Sequence, residues 1–227
     1  MNRVDAVWAI GRVTLQPLTR LVVPLRNYGV ERVPRVGGVV LAFNHFHWID
    51  PPVMGTVSPR TVHFLAKAEA HRVPGLGQLI RSFGTISVRR GESDREAVRT
   101  MRAVVAGGDA LGLFVEGTRQ RSGVPGPVQA GAAMVALQEG VPILPVAIHG
   151  TQTWSGAVSI AWGTPMTFDG IAKGGRGYKE ASSLVETEIR RLFDWLVVVH
   201  QRGRPSGVPP GTSRFAKSAS KEGNDER

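Results

Sequence analysis

Residues 37–52 read Gly-Gly-Val-Val-Leu-Ala-Phe-Asn-His-Phe-His-Trp-Ile-Asp-Pro-Pro, and their reading decides the fold. The first half, Gly37 to Phe43, is a short apolar run without a break, the pattern of a strand buried on both faces. The second half turns polar and closes on Asp50-Pro51, an acid before a first-turn proline, which marks a helix start. A buried strand passing through a short turn into a helix opens an α/β unit. Reading outward, further strands are expected over 61–66, 84–88, 110–115, 143–148 and 157–162. Helices are expected over 51–57, 75–82, 94–107, 127–139 and 178–202. In the last of these, Leu184, Val185, Ile189, Leu192, Phe193 and Leu196 recur at helical spacing. The alternation predicts an α/β fold: one domain over 31–202, with a central, mostly parallel or mixed sheet flanked by helices.

An N-terminal amphipathic helical segment over residues 1–30 precedes this domain. Val4, Val7, Trp8, Gly11, Leu15, Leu18, Val22 and Leu25 fall on one side, with Pro17 expected to split the segment into two short helices. Residues 1–35 hold six Arg against two acids. Two readings fit that pattern: a helix lying in an anionic membrane interface, and a first helix packed on the core. At the other end, Gly203 to Arg227 is rich in Pro, Gly, Ser and Lys with a single aromatic. That composition predicts a disordered tail.

The whole chain has 227 residues, a net charge of +10 and no cysteine. Disulfides, thiolate metal sites and a cysteine nucleophile are excluded, and anionic partners are favoured. The six histidines show no familiar zinc spacing, so no metal site is expected. Asp5 and Arg12 interrupt the apolar run a secretory leader needs. The longest uncharged stretch, 140–168, is broken by prolines and glycines and reads as strands and turns.

Three strand ends carry chemistry. After the first strand, His45 and Asp50 stand five apart. In a helix they would lie about 140° apart, but a strand-to-helix turn can fold the acid back onto the imidazole. A carboxylate on one ring nitrogen fixes the tautomer and leaves the other nitrogen to take a proton. The alternative is a helix cap at Asp50 and a core histidine. After the strand over 110–115 comes Glu116-Gly117-Thr118-Arg119, where the planar Arg119 fork suits a phosphate. The alternative there is a polar turn with Glu116 and Arg119 paired to each other. The stretch from Gly84 delivers Arg89 and Arg90 to a third strand end. Ligands of open α/β sheets sit at the carboxyl ends of strands, so a proton-transfer site beside an anion site is expected.

These motifs make the sequence resemble the glycerophospholipid acyltransferase family, whose bacterial prototype acylates 1-acylglycerol-3-phosphate. Asn44 to Asp50 matches N-H-x-x-x-x-D; Gly84, Ile86 and Arg90 match G-x-I-x-x-x-R; Phe114 with Glu116 to Arg119 matches F-x-E-G-T-R; Val141 to Val146 matches the apolar V-P-[IV]-x-P-V run. The motifs stand in family order over roughly residues 37–150. Departures are His47 where Ser is common, Val115 for Pro, Arg89 for an acid and Gln120 for Ser. They leave the acceptor open.

The resemblance implies transfer of a fatty acyl group from acyl-CoA or acyl carrier protein to the free hydroxyl of lysophosphatidic acid, in phospholipid biosynthesis. His45 would be the base, Asp50 its orienter, and Arg90 and Arg119 the phosphate ligands. Lys67, which stands where the family often has a lysine, adds charge or is a surface residue. Glu116 would orient Arg119 or an acceptor hydroxyl, Gly117 and Thr118 would shape the turn, and Gly84 joins the binding residues. His47 is expected to line the site or to pack. No cofactor is implied beyond the acyl co-substrate. The expected location is peripheral, on the anionic cytoplasmic face of the cell membrane, without nucleic acid. Alternatives are the same chemistry on another lysophospholipid, an amino-acid lipid or a glycerol-3-phosphate-like acceptor, a thioesterase, and a basic binding protein without enzymatic activity.

Overall fold

The computed structural model describes residues 3–89, 94–153, 156–201 and 207–211. In chain order these form α1 (Arg3–Val22), β1 (Leu25–Tyr28), a 3-10 turn (Val30–Arg32), β2 (Val39–Phe43), α2 (Asp50–Val57), β3 (Val62–Lys67), α3 (Ala68–Arg72) and α4 (Leu76–Ser82). There follow β4 (Ile86–Val88), α5 (Arg95–Ala106), β5 (Ala110–Phe114), α6 (Gly131–Glu139), β6 (Ile143–His149), β7 (Val158–Trp162) and α7 (Gly175–Gln201). The strands make one seven-stranded sheet in the order β1-β7-β6-β2-β5-β3-β4. Only the β6–β7 pairing is antiparallel; β7 and β1 therefore run opposite to the other five. The expected mixed α/β sheet is what the chain builds.

β2 lies near the centre of the sheet, and all five of its residues are buried. Successive side chains of a strand point to opposite faces. Val39, Leu41 and Phe43 pack with Trp8 of α1 and with Val53, Met54 and Val57 of α2. Val40 and Ala42 pack on the other side with α5, α6 and α7, through Met101, Val105, Val135, Val185 and Ile189. The sheet thus has α1 and α2 on one face and α5, α6 and α7 on the other, and the unbroken apolar run of β2 follows from being covered on both.

Three expectations are corrected. First, α1 is one helix, not two: Pro17 sits inside it. Pro17 and Val13, whose carbonyl Pro17 leaves without a donor, are both on the exposed side, where water can serve that carbonyl. Second, the helical segment ends at Val22, and Leu25–Tyr28 joins the sheet beside β7. Third, part of the expected disordered tail is ordered. Pro209 is buried, Arg32 donates to the carbonyls of Pro209 (2.6 Å) and Pro210 (3.4 Å), and Arg191 donates to that of Gly211 (2.8 Å). The rest of the tail lies outside the described residues.

The two readings of α1 also divide. The first half of the face predicted from spacing, Val4 to Gly11, packs inward: Trp8 is buried, its indole N–H donates to the Phe83 carbonyl at 3.0 Å, and its ring meets Phe83 edge-on at 5.0 Å. A second apolar stripe, Ile10, Val13 and Leu21, is 64%, 76% and 84% exposed. Among the described residues no helix is long and apolar enough to cross a membrane.

Candidate active site

The site grows from the carboxyl end of β2. Asn44, the first residue after the strand, is fully buried and continues the ladder with its side chain. Its Nδ2 donates to the Ile148 carbonyl (3.0 Å), and its Oδ1 accepts from the Ile148 N–H (2.7 Å). Clamped to β6 in this way, the chain delivers His45 at a fixed height above the sheet. The turn 46–49 then folds back so that Asp50, the first residue of α2, reaches the imidazole.

Asp50 is 0% exposed. Its Oδ2 accepts three hydrogen bonds, all at 2.8 Å: from His45 Nδ1, the Phe46 N–H and the His47 N–H. The carboxylate therefore organises the turn before it, not the amides of the helix it begins, which disposes of the simple capping alternative. Donation from Nδ1 to Asp50 fixes the His45 tautomer with Nε2 as the unprotonated nitrogen. The His45 ring also rests on Phe114, with ring centres 4.2 Å apart. His47 meets Asp50 through its backbone and Trp48 through its ring, at 5.6 Å. It is not the imidazole that Asp50 holds.

The neighbouring strand β5 contributes Glu116 and the turn after it. Glu116 is 5% exposed. Its Oε2 accepts the His45 backbone N–H (2.9 Å) and its Oε1 accepts the Gly126 N–H (2.7 Å). The Gln120 N–H donates to the His45 carbonyl at 2.8 Å. Both backbone groups of His45 are thus held by the Glu116–Gln120 turn, whose intervening residues Gly117, Thr118 and Arg119 loop out beside the histidine. Gly117 takes a left-handed φ of 74° there, a conformation that costs glycine little. Thr118 and Arg119 are exposed.

The role expected of Glu116 is corrected by this geometry. Each of its oxygens accepts a backbone amide, so what it holds here is the His45 backbone and the turn at Gly126, not the Arg119 side chain. Burial pushes its carboxyl up to about 7, with the nearby Asp50 charge adding and the two amides and Arg190 opposing.

The third cluster is only partly assembled. Lys67 closes β3 and is exposed, two strand spacings from β2, or about 10 Å across the edge. Gly84 does not reach the site. It stands two residues before Ile86, the partner of Leu65, and so is level with His63, the partner of Leu111. His45 stands two residues past Phe43, the partner of Phe114. That five-residue difference in height is about 16 Å. Gly84 instead makes a tight turn at φ 70°, where a Cβ would fall 2.8 Å from His63 Nδ1 and 2.9 Å from Val4. A cavity of about 700 Å³ beside it is lined by His63, Ser87, Arg89 and α5, not by His45 or Asp50. Arg90 lies outside the described residues.

Sequence reasoning gave no role to Asn44, Phe114 or Gln120 individually. The motif placed Asn44 and Phe114 beside His45 and Asp50, but nothing in the sequence indicates a clamp onto β6 or a ring beneath the imidazole.

A family model described as Acyltransferase matches residues 25–149. A 1-acyl-sn-glycerol-3-phosphate acyltransferase of Bacillus subtilis is 27% identical over 127 residues, covering 56% of this chain and 63% of the relative. A lyso-ornithine lipid O-acyltransferase of Pseudomonas aeruginosa is 35% identical over 106 residues, covering 46% of this chain and 40% of the relative. The chain thus spans less than two thirds of these relatives' lengths. The crystal structure of the 1-acyl-sn-glycerophosphate acyltransferase of Thermotoga maritima shares the fold, with a TM-score of 0.70 at 24% identity, over 90% of this chain and 81% of that one.

Proposed function

Because the chain belongs to the Acyltransferase family, we propose that it transfers a fatty acyl group from acyl-CoA or acyl carrier protein to the free hydroxyl of lysophosphatidic acid. The observation that carries this reading is the His45–Asp50 pair, Nδ1 to Oδ2 at 2.8 Å, which leaves Nε2 as a directed base. His45 Nε2 takes the proton of the acceptor hydroxyl as its oxygen attacks the thioester carbonyl. The tetrahedral adduct collapses, the C–S bond breaks, and the sulfur leaves with the proton returned by His45. Asp50 steadies the imidazolium between the two steps. No acyl-enzyme is required, since the substrate hydroxyl attacks directly. General-base assistance of this kind contributes roughly a hundred to ten-thousand-fold.

Arg119, exposed on the loop that brackets His45, is assigned to the acceptor phosphate, with Thr118 beside it and Lys67 further along the edge. Arg90 keeps its assignment from the motif alone. The exposed stripe Ile10, Val13 and Leu21 supports a peripheral position on an anionic membrane, where acceptor and product reside.

A second reading differs only in acceptor. The 35% identity to a lyso-ornithine lipid O-acyltransferase favours an amino-acid lipid as the alternative. One experiment separates them: a panel of lysolipids offered with one labelled palmitoyl donor. Acylation of lysophosphatidic acid at the highest kcat/KM is expected, with His45→Ala abolishing turnover while retaining a cooperative melt. Full activity in His45→Ala would refute the assignment, and preference for lyso-ornithine lipid would replace the acceptor.

A further inference from the structure

The mechanism leaves unused a row of arginines on α5. Arg95, Arg99 and Arg102 stand at i, i+4 and i+7, so they share one stripe of the helix, and all three are exposed. Arg102 pairs with Glu139 of α6. Among the described residues, neither Arg95 nor Arg99 has a hydrogen bond or ion pair through its guanidinium. Like charges at this spacing disfavour a helix slightly, so the stripe is not explained by the stability of α5. A groove of about 340 Å³ runs along it between Arg95, Arg99, Arg102 and Glu139, and the 700 Å³ cavity lies on its other flank, with Arg95 shared by both.

Two features of the fold say what such a surface faces. α5 packs through Met101 and Val105 on the sheet face opposite α1 and α2. The outer surface of α5 and the exposed stripe of α1 are separated by helix, sheet and helix, roughly 25–30 Å. A bilayer seated on Ile10, Val13 and Leu21 cannot touch Arg95 or Arg99. Its field has decayed over several Debye lengths of about 8 Å. Second, α5 follows β4, whose carboxyl end lies on the same sheet edge as His45. Three strand spacings separate β4 from β2, about 14 Å. A thioester carried on an extended pantetheine arm from the first turn of α5 reaches the catalytic pair.

We propose that the α5 arginine stripe docks a small, soluble, acidic acyl carrier protein, which presents its acyl thioester along the sheet edge to His45. This rests on the acyltransferase reading above and selects the donor within it. Charge complementarity of this kind steers encounter and fixes orientation.

The test uses the full chain, with palmitoyl-acyl carrier protein and palmitoyl-CoA as donors and lysophosphatidic acid in phosphatidylglycerol-containing vesicles as acceptor. In Arg95→Glu/Arg99→Glu, KM for the carrier-bound donor is expected to rise at least tenfold. KM and kcat with palmitoyl-CoA, and pelleting with the vesicles, stay within twofold. Arg95→Lys/Arg99→Lys retains most of the carrier affinity. An unchanged KM for the carrier donor, a parallel rise for both donors, or lost vesicle binding overturns the proposal. Direct binding of purified acyl carrier protein at 50 and 300 mM salt keeps the two readings apart. Carrier binding that weakens with salt and is lost in the Glu variant supports the surface even if neither donor yields product, in which case the transferase reading falls alone. No carrier binding by the wild-type chain overturns the surface.

Discussion

Replacing Asp50 by Asn tests the centre of the mechanism. The asparagine oxygen can keep the backbone N–H contacts of Phe46 and His47, so the turn retains its shape. Its amide nitrogen then occupies the position of Oδ1, which is buried without a hydrogen-bond partner among the described residues. An unsatisfied buried donor costs about 1–3 kcal/mol, so the melting temperature falls without loss of the fold. The catalytic loss is larger. A carboxylate about 4 Å from the charge centre of the imidazolium is worth about 4 kcal/mol at an effective dielectric of 20. At about 1.4 kcal/mol per decade, kcat drops roughly a thousandfold. The chain has no cysteine, so a thiol-reactive chromophore reports released CoA without background from the enzyme. A variant that melts cooperatively yet keeps more than a tenth of kcat would show that Asp50 builds the turn and does nothing for the proton.

Arg119→Ala should raise KM for the phosphorylated acceptor roughly 10- to 100-fold, as expected for one charged hydrogen bond, with kcat changed only a few-fold; an unaltered KM moves phosphate binding elsewhere. Glu116 binds a proton more tightly folded, at about 7, than its ordinary 4.5, so its contribution to stability falls as pH rises between those values, by about 3 kcal/mol in all. Glu116→Gln should lack that component, and denaturant titrations from pH 4.5 to 8 giving parallel curves for both proteins would contradict the burial argument. Ile10→Ser/Val13→Ser/Leu21→Ser should leave the melting temperature within a few degrees but reduce pelleting with anionic vesicles at least tenfold. Equal pelleting places the membrane contact on another surface.

Much of this architecture is legible in the sequence because it depends on local patterns. The apolar run of β2 shows a strand covered on both faces, and the 184–196 periodicity gives the inner face of α7. The His45–Asp50 spacing at a strand-to-helix turn allows either a folded-back carboxylate or a helix cap, and Asp50 takes the first of these places. What was not legible depends on partners distant in the chain. Leu25–Tyr28 is too short and polar to read as a strand, and it exists because β7 offers it a free edge. Pro17 looks like a helix break until its carbonyl partner is seen to face solvent. Gly84 sits in a family motif, yet the register of β4 sets it well below the edge that carries His45. Glu116 reads as a partner for the arginine three residues on, but folding brings it two backbone amides, from His45 and Gly126, neither of which the spacing reveals.

The segment 207–211 gives the two ends of the chain a shared mechanical task. β1 is a four-residue strand at the margin of the sheet, with a neighbour on one side only, and such strands peel first. Arg32, just beyond it, grips the returning Pro209 and Pro210 while also bonding the Trp162 carbonyl at the end of β7. The returning segment thereby acts as a hasp over the margin that follows α1. Tension on α1 at a lipid surface would pass into β1 and be resisted by residues nearly two hundred positions away.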